Sequence, residues 1–384
     1  MKRVLFIGHE ASRTGAPIIL LDFLQWLKAN NSLPEAKLLL MRGGDLETEY
    51  QKAIDVHVLP ANDKPSLPRR GLHYLGKKVG YAPKSEKLPA FARNFDVVVG
   101  NTLISLPFLK LAKLENGSRT ICWLHELEYA VNANSKEKFL ELAEYIDCFL
   151  VVSKAVKEML ERFGIAAEKR LVYGFSKTEF WQVSSEESET VKKELGIPAD
   201  AFVVGGSGTL EWRKGVDIFF QIARRLAASQ ENLYFLWVGG KLPNEFLQYH
   251  QVMHDFERLD LRGQAIITGH QKNARRFFAA MDMFALTSRE DPFPLVCLEA
   301  AAMEKPIICF DKAGGAAEFI EDDCGYIVPY LDVEAFAEKI LKLRQDEDTK
   351  RKFGTRAAQK VRERHNIETA APQILEVIEK CGKQ

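Results

Sequence analysis

The sequence has no long hydrophobic run. Nowhere do about eighteen uncharged apolar residues follow one another, so no membrane-spanning helix is expected. Its opening, MKRVLFIGHEASRTG, reads as a strand followed by a polar loop rather than as a signal sequence, which makes a cytoplasmic protein the expectation. Neither sign of charge is in excess. Lysine plus arginine and aspartate plus glutamate total 53 each, so the chain as a whole offers nothing that would attract nucleic acid. The six cysteines, at 122, 148, 297, 309, 324 and 381, form no CxxC pair and lie mostly among apolar neighbours, as reduced buried thiols do. Metal-ligand spacings such as HExxH are missing, and so is the Gly-Lys-Ser/Thr of a phosphate loop. GGSGTL at 205 to 210 lacks the G-x-G-x-x-G spacing of a dinucleotide fingerprint. Asp346-Glu347-Asp348 matches D-x-D in form, but it sits in a charge-rich helical stretch and reads as a solvated face, so no metal site is expected.

What is present is length and alternation. A chain of 384 residues, 46% hydrophobic, exceeds what one core usually serves and implies two domains. RVLFIG, AKLLLM, DVHVLP, FDVVVG, TICWLH and CFLVVS read as strands separated by helical patterns. After the polar run VSSEESETVKKELGIPAD the pattern restarts with AFVVGGSG, LYFLWVGG, AIITGH, MFALTS, PIICF and GYIVP. Regular alternation of this kind specifies an α/β fold of doubly wound parallel sheets. The reading assigns 1–183 to a first domain, 184–365 to a second and 366–384 to a terminal helix.

The densest chemistry lies in TSREDPFPLVCLEAAAMEKPIICFDKAGGAAE, residues 287 to 318. It reads as an acidic loop after a buried strand, then a helix, a strand and a glycine loop. Open α/β sheets bind ligands at the carboxyl end of a strand beside a helix amino terminus. Glu290 and Asp291 also suit a solvated loop, but Glu299 lies inside an otherwise apolar helix, where an unpaired charge is costly. Upstream, Arg213 and Lys214 precede Gly215 and follow Gly208; two cations beside a glycine turn and a helix amino terminus can neutralise a diphosphate. In the first half, Gly15 and Pro17 open a helix after strand one. They suit close approach of backbone to a ligand, and equally an ordinary tight turn. His125 follows the strand TICWLH, which would place it at the ligand-binding edge of that sheet.

These residues together resemble glycosyltransferase family 4, retaining sugar transferases of the GT-B fold, in which two Rossmann-like doubly wound domains face a central cleft. The resemblance rests on Asp291, Phe293, Pro294, Leu295, Val296, Leu298, Glu299, Ala300, Pro306, Gly314, Gly315 and Glu318, and on Arg213-Lys214-Gly215 as the donor-diphosphate pair. It implies that Glu299 binds the ribose and that backbone N–H groups of 293 to 296 meet sugar and phosphate. Either Glu290 or Asp291 would bind the hexose, since Asp291 stands where the family has its first glutamate. His125 corresponds to the family's cleft histidine near the donor sugar, and Gly15 to its small glycine loop. The implied function is transfer of a hexosyl group from a nucleotide-diphosphate sugar, without a metal or other cofactor, to a saccharide or lipid-linked acceptor in surface polysaccharide synthesis. Two alternatives are a nucleotide-sugar epimerase of GT-B-like shape and a non-catalytic nucleotide-sugar-binding subunit.

The stretch from Lys64 to Arg93 breaks the alternation, with eight basic residues against the single acid Glu86. Interleaved with Leu72, Tyr74, Tyr81, Leu88 and Phe91, it suits peripheral contact with an anionic membrane at the inner face of the cell envelope, and equally a solvated insertion.

Overall fold

The computed structural model describes residues 2–60, 87–177, 185–227, 229–240, 246–261 and 263–382. The chain divides into two compact units, Met1–Gly174 with Ile367–Gln384, and Phe175–Asn366. The residues at 178–184, where composition changes, lie outside the described residues.

The first unit carries a sheet of β1 (Val4–Gly8), β2 (Ala36–Leu40), β3 (Asp55–Val58), β4 (Val97–Asn101), β5 (Arg119–Leu124), β6 (Cys148–Val151) and β7 (Glu168–Leu171). Its order is β3-β2-β1-β4-β5-β6-β7 and every pairing is parallel. The central strands are continuous runs of Val, Ile, Leu and Phe because helices cover both faces. The edge strand β7, EKRL, alternates exposed and half-buried residues and pairs only with β6, so it carries none of the apolar signal by which the other six are legible. The strand order reverses between β1 and β4, and Asn101 at the end of β4 pairs with Gly8 at the end of β1. The terminal helix Ile367–Cys381 belongs to this unit and buries Ala370, Ala371, Ile374, Ile378 and Cys381. Trp26 donates to Glu368 Oε2 at 2.7 Å and Arg119 Nε to the Cys381 carbonyl at 3.2 Å.

The second unit repeats the plan with β8 (Phe202–Ser207), β9 (Leu233–Val238), β10 (Ala265–Ile267), β11 (Met283–Leu286), β12 (Ile307–Phe310) and β13 (Gly325–Val328). All are parallel, in the order β10-β9-β8-β11-β12-β13, so the reversal falls between β8 and β11. Its core gathers Phe219, Phe220, Phe235, Trp237 and Phe310 around helix Val216–Ala227. Gly205 and Gly206 are packing residues here. A Cβ on Gly205 would meet Met281 Sδ at 1.9 Å, and one on Gly206 would meet Phe219 and Trp237.

All six cysteines are buried and free. Asp346 does more than face solvent: its carboxylate caps helix Glu347–Arg364, accepting from Thr349 N at 2.9 Å and Thr349 Oγ1 at 2.7 Å. Among the described residues no cluster of His, Cys, Asp and Glu is arranged to hold a metal ion, and no helix is long and apolar enough to cross a membrane. Residues 61–86, most of the basic stretch, lie outside the described residues. Of its apolar members Leu88 is buried and Phe91 stacks on His57 at 4.0 Å, so both are committed to packing.

Candidate active site

In the second unit the charged residues gather where the strand order reverses. Beyond β8, Gly208 adopts φ 151° with the Lys214 side chain against its Cα, and the chain turns through a single 3-10 turn, Trp212–Lys214. Gly215 ends that turn at φ 65°, and a Cβ there would lie 1.9 Å from the Thr287 carbonyl. Only glycine therefore lets the turn press against the chain leaving β11. The two segments are then joined by backbone and side chain. Arg289 N donates to Arg213 O at 2.8 Å and Thr287 Oγ1 to Gly215 O at 2.9 Å. The Arg289 guanidinium lies 4.8 Å from the Trp212 ring centroid, donates to Trp212 O at 2.7 Å and grips both oxygens of Asp217.

This scaffold delivers Asp291 to the two cations. Asp291 N donates to Ala313 O at 2.7 Å, and the backbone forms a parallel bridge with Gly314 of the glycine loop. Its Oδ2 accepts from Lys214 Nζ at 2.6 Å and Ser288 Oγ at 3.4 Å, with Arg213 Nη1 at 3.9 Å. Arg213 is itself fixed by Glu290 O at 3.0 Å and Glu211 Oε1 at 3.1 Å. Burial pushes the Asp291 carboxyl toward the neutral acid, but the charges of Lys214 and Arg213 outweigh it and hold the pKa below the ordinary value. Burial likewise opposes the Arg213 charge, and Asp291 and Glu211 more than restore it. The result is a pair of cations locked in place by carboxylates, with further N–H donors that these partners do not use.

The rest of the 287 to 318 segment frames this pair. Pro294 caps helix Leu295–Ala302 without a side-chain acceptor, and the N–H groups of a helix's first turn have no intrahelical partner. Glu299 is half-buried one turn beyond Leu295, which resolves the cost of a charge in that helix by giving it a partly solvated edge. Glu290 is also half-buried. The Phe293 ring is spent on packing: it is 7% exposed and stacks on the buried His365 at 5.3 Å.

The first unit holds a second polar cluster, also at its reversal point. His9 follows β1, Asn101 ends β4 with Thr102 just beyond it, and His125 follows β5. His125 Nε2 lies 2.8 Å from Asn101 Oδ1, while Asn101 Nδ2 donates to Ala16 O at 3.0 Å. Ala16 is next to Gly15, the first residue of helix Gly15–Ala29. Thr102 stands at φ 82°, ψ 161°, a region costly for a β-branched residue, held there by its N–H on Trp123 O and by Ser105 Oγ on its carbonyl. Burial, reinforced by His9, lowers the His125 pKa to about 3, and burial with Arg42 lowers that of His9 to about 4, so both rings are neutral near pH 7.

Of the residues singled out from sequence, Arg213, Lys214, Gly208, Glu290, Asp291, Phe293, Pro294, Leu295, Val296 and Glu299 belong to the second unit, and Gly15 and His125 to the first. Sequence reading missed Glu211, which holds Arg213, Ser288, which bonds Asp291, and Arg289, whose N–H meets the Arg213 carbonyl, as well as His9, Asn101 and Thr102 around His125. A polar Asn-Thr pair ending the apolar run VVVG was the available signal for the latter.

Two parallel sheets of this kind, each with polar residues at its reversal point, are the architecture of the GT-B fold. Residues 187–360, within the second unit, match the family model Glycosyl transferases group 1. The chain is 27% identical over 243 residues to alpha-galactosylglucosyldiacylglycerol synthase of Streptococcus pneumoniae, a match covering 59% of this chain and 62% of that protein. It is 25% identical over 265 residues to the lipopolysaccharide core biosynthesis glycosyltransferase LpsE of Rhizobium meliloti, covering 66% of this chain and 73% of that one. The fold is similar to that of HepE from Anabaena, solved in complex with UDP and glucose, with TM-score 0.83, 22% identity and coverage of 99% and 100%.

Proposed function

We propose that this chain is a retaining, metal-independent glycosyltransferase of family 4. In this reading it moves a hexosyl group from a nucleotide-diphosphate sugar to a saccharide or lipid-linked acceptor in surface polysaccharide or glycolipid synthesis. The observation that carries the proposal is the Arg213, Lys214 and Asp291 cluster at the β8–β11 reversal, inside the domain that matches the family model. The relatives' names, a glycolipid synthase and a lipopolysaccharide transferase, favour a lipid-linked or saccharide acceptor.

The chemistry needs positive charge where a nucleoside diphosphate departs. Arg213 and Lys214 supply it, aided by the uncapped N–H groups of Leu295 and Val296. Fixed donors of this kind cost no reorganisation during reaction, and removing one typically slows turnover by about 10²-fold or more. Glu299 takes the ribose hydroxyls. Because the Asp291 carboxylate is committed to Lys214, the hexose hydroxyls fall to Glu290. His125 hydrogen-bonds the transferred sugar, and the departing phosphate accepts the acceptor's proton on the retained face. No side chain is assigned as general base.

Nucleotide release from a panel of nucleotide sugars, with and without a lipid-linked acceptor, tests the reading. Acceptor-dependent release is expected. Conversion of the nucleotide sugar alone without release would mark an epimerase, and binding without turnover a non-catalytic subunit. If residues 64–93 meet an anionic membrane, the protein will sediment with anionic vesicles and be released by salt. Indifference to vesicle charge would leave them a solvated insertion.

A further inference from the structure

Asn101 is the last residue of β4, 1% exposed, at the point where the first unit's strand order reverses. Its amide has one partner on each side. One is the Ala16 carbonyl, which can only accept, so the amide nitrogen must face it. The amide oxygen is thereby turned to His125 Nε2 at 2.8 Å. An amide oxygen can only accept, so Nε2 must carry the proton. A neutral imidazole has a single N–H, which leaves Nδ1 as a lone-pair acceptor. The orientation of one buried amide thus fixes the tautomer of the histidine beside it.

The surroundings reinforce the arrangement. Glu126 Oε2 accepts the backbone N–H groups of both His125 and Leu103, fixing the turn after β5. Thr102, strained beside Asn101, has Oγ1 3.5 Å from His9 Nδ1, and His9 in turn neighbours Glu10 and Arg42. Among the described residues no hydrogen bond ties up His125 Nδ1.

We propose that Asn101 is a positioning residue that locks His125 as the Nε2–H tautomer and couples it to the Gly15–Pro17 turn, so that His125 receives a ligand hydroxyl through Nδ1. The ligand group is then a hydrogen-bond donor, such as a sugar hydroxyl, and not a phosphate oxygen. The identity of that hydroxyl as the donor sugar's rests on the function proposed above; the tautomer does not.

Long-range nitrogen–proton correlation on the imidazole rings of the full chain, with the His125 signals assigned by their loss in His125→Gln, reads the tautomer without any assay of activity. A single Nε2–H form at neutral pH is expected, and an Nδ1–H form or an imidazolium would overturn the proposal. In Asn101→Ala the ring should become a tautomer mixture and turnover should fall roughly tenfold or more, with nucleotide affinity unchanged. A single tautomer and full turnover in that variant would also overturn it. Adding the nucleotide sugar should move the Nδ1 signal of the wild-type chain. If the tautomer is as stated and Nδ1 is unmoved by donor and acceptor, the hydroxyl contact is refuted while the positioning by Asn101 stands.

Discussion

Three carboxylates lie in one short segment, and their surroundings set Asp291 apart from the other two. Asp291 is buried with both cations around it, whereas Glu290 and Glu299 keep partly solvated edges. Asp291→Asn should therefore act on the cluster itself, destabilising the fold by about 3 kcal/mol, since it removes one side of a buried ion pair. The folded pKa of Asp291 is depressed, so this contribution is present above the unfolded value of about 4 and is lost as pH falls through the folded one. Urea melts of wild type and variant should differ by a constant amount near neutrality and converge in acid. A difference independent of pH would contradict the ion-pair account. Glu290→Gln should change the ratio of turnover between competing nucleotide sugars and leave stability within about 0.5 kcal/mol. Glu299→Ala should weaken binding of the free nucleotide. If Glu290→Gln left sugar preference intact, the hexose contact would belong elsewhere.

At the scale of elements, legibility followed burial. Five strands of the first sheet and all six of the second are apolar runs that alternation exposes, and the edge strand β3, DVHV, keeps two valines, whereas the other edge strand, β7, is mostly charged. The cations were legible because a glycine turn marks them, and Gly215 is required by its contact with Thr287 O. Asn101 and Thr102 were marked locally only as a polar pair after an apolar run; the contacts that give Asn101 its place, to Ala16 in helix Gly15–Ala29 and to His125 after β5, are not encoded in any local pattern. The D-x-D resemblance of Asp346 has a local cause as well, since it joins helix Val333–Gln345 to helix Glu347–Arg364 as a cap. Asp346→Ala should cost about 1 kcal/mol in thermal or denaturant unfolding, the usual value of a lost N-cap, with turnover unaffected. Lost turnover at unchanged stability would mean a role beyond capping.

At the scale of the whole molecule, each unit has its own core, but the first is completed only by the chain's last helix. Removing residues 367–384 uncovers helix Gly15–Ala29 and strands β4, β5 and β6, against which helix Ile367–Cys381 packs, and breaks the Trp26–Glu368 bond. The first unit should lose roughly 5 kcal/mol, seen in calorimetry as its transition moving to lower temperature while that of the second unit stays in place. An unmoved first transition would show the helix to be dispensable. Protein cations are proposed to do the work on the leaving diphosphate. Nucleoside diphosphate release with acceptor present, measured in excess chelator for wild type and Lys214→Ala, tests it most directly. Full turnover of the wild type in chelator and a loss of about 10²-fold or more in the variant is the predicted result. Turnover abolished by the chelator, with Lys214→Ala close to wild type when metal is supplied, would contradict it.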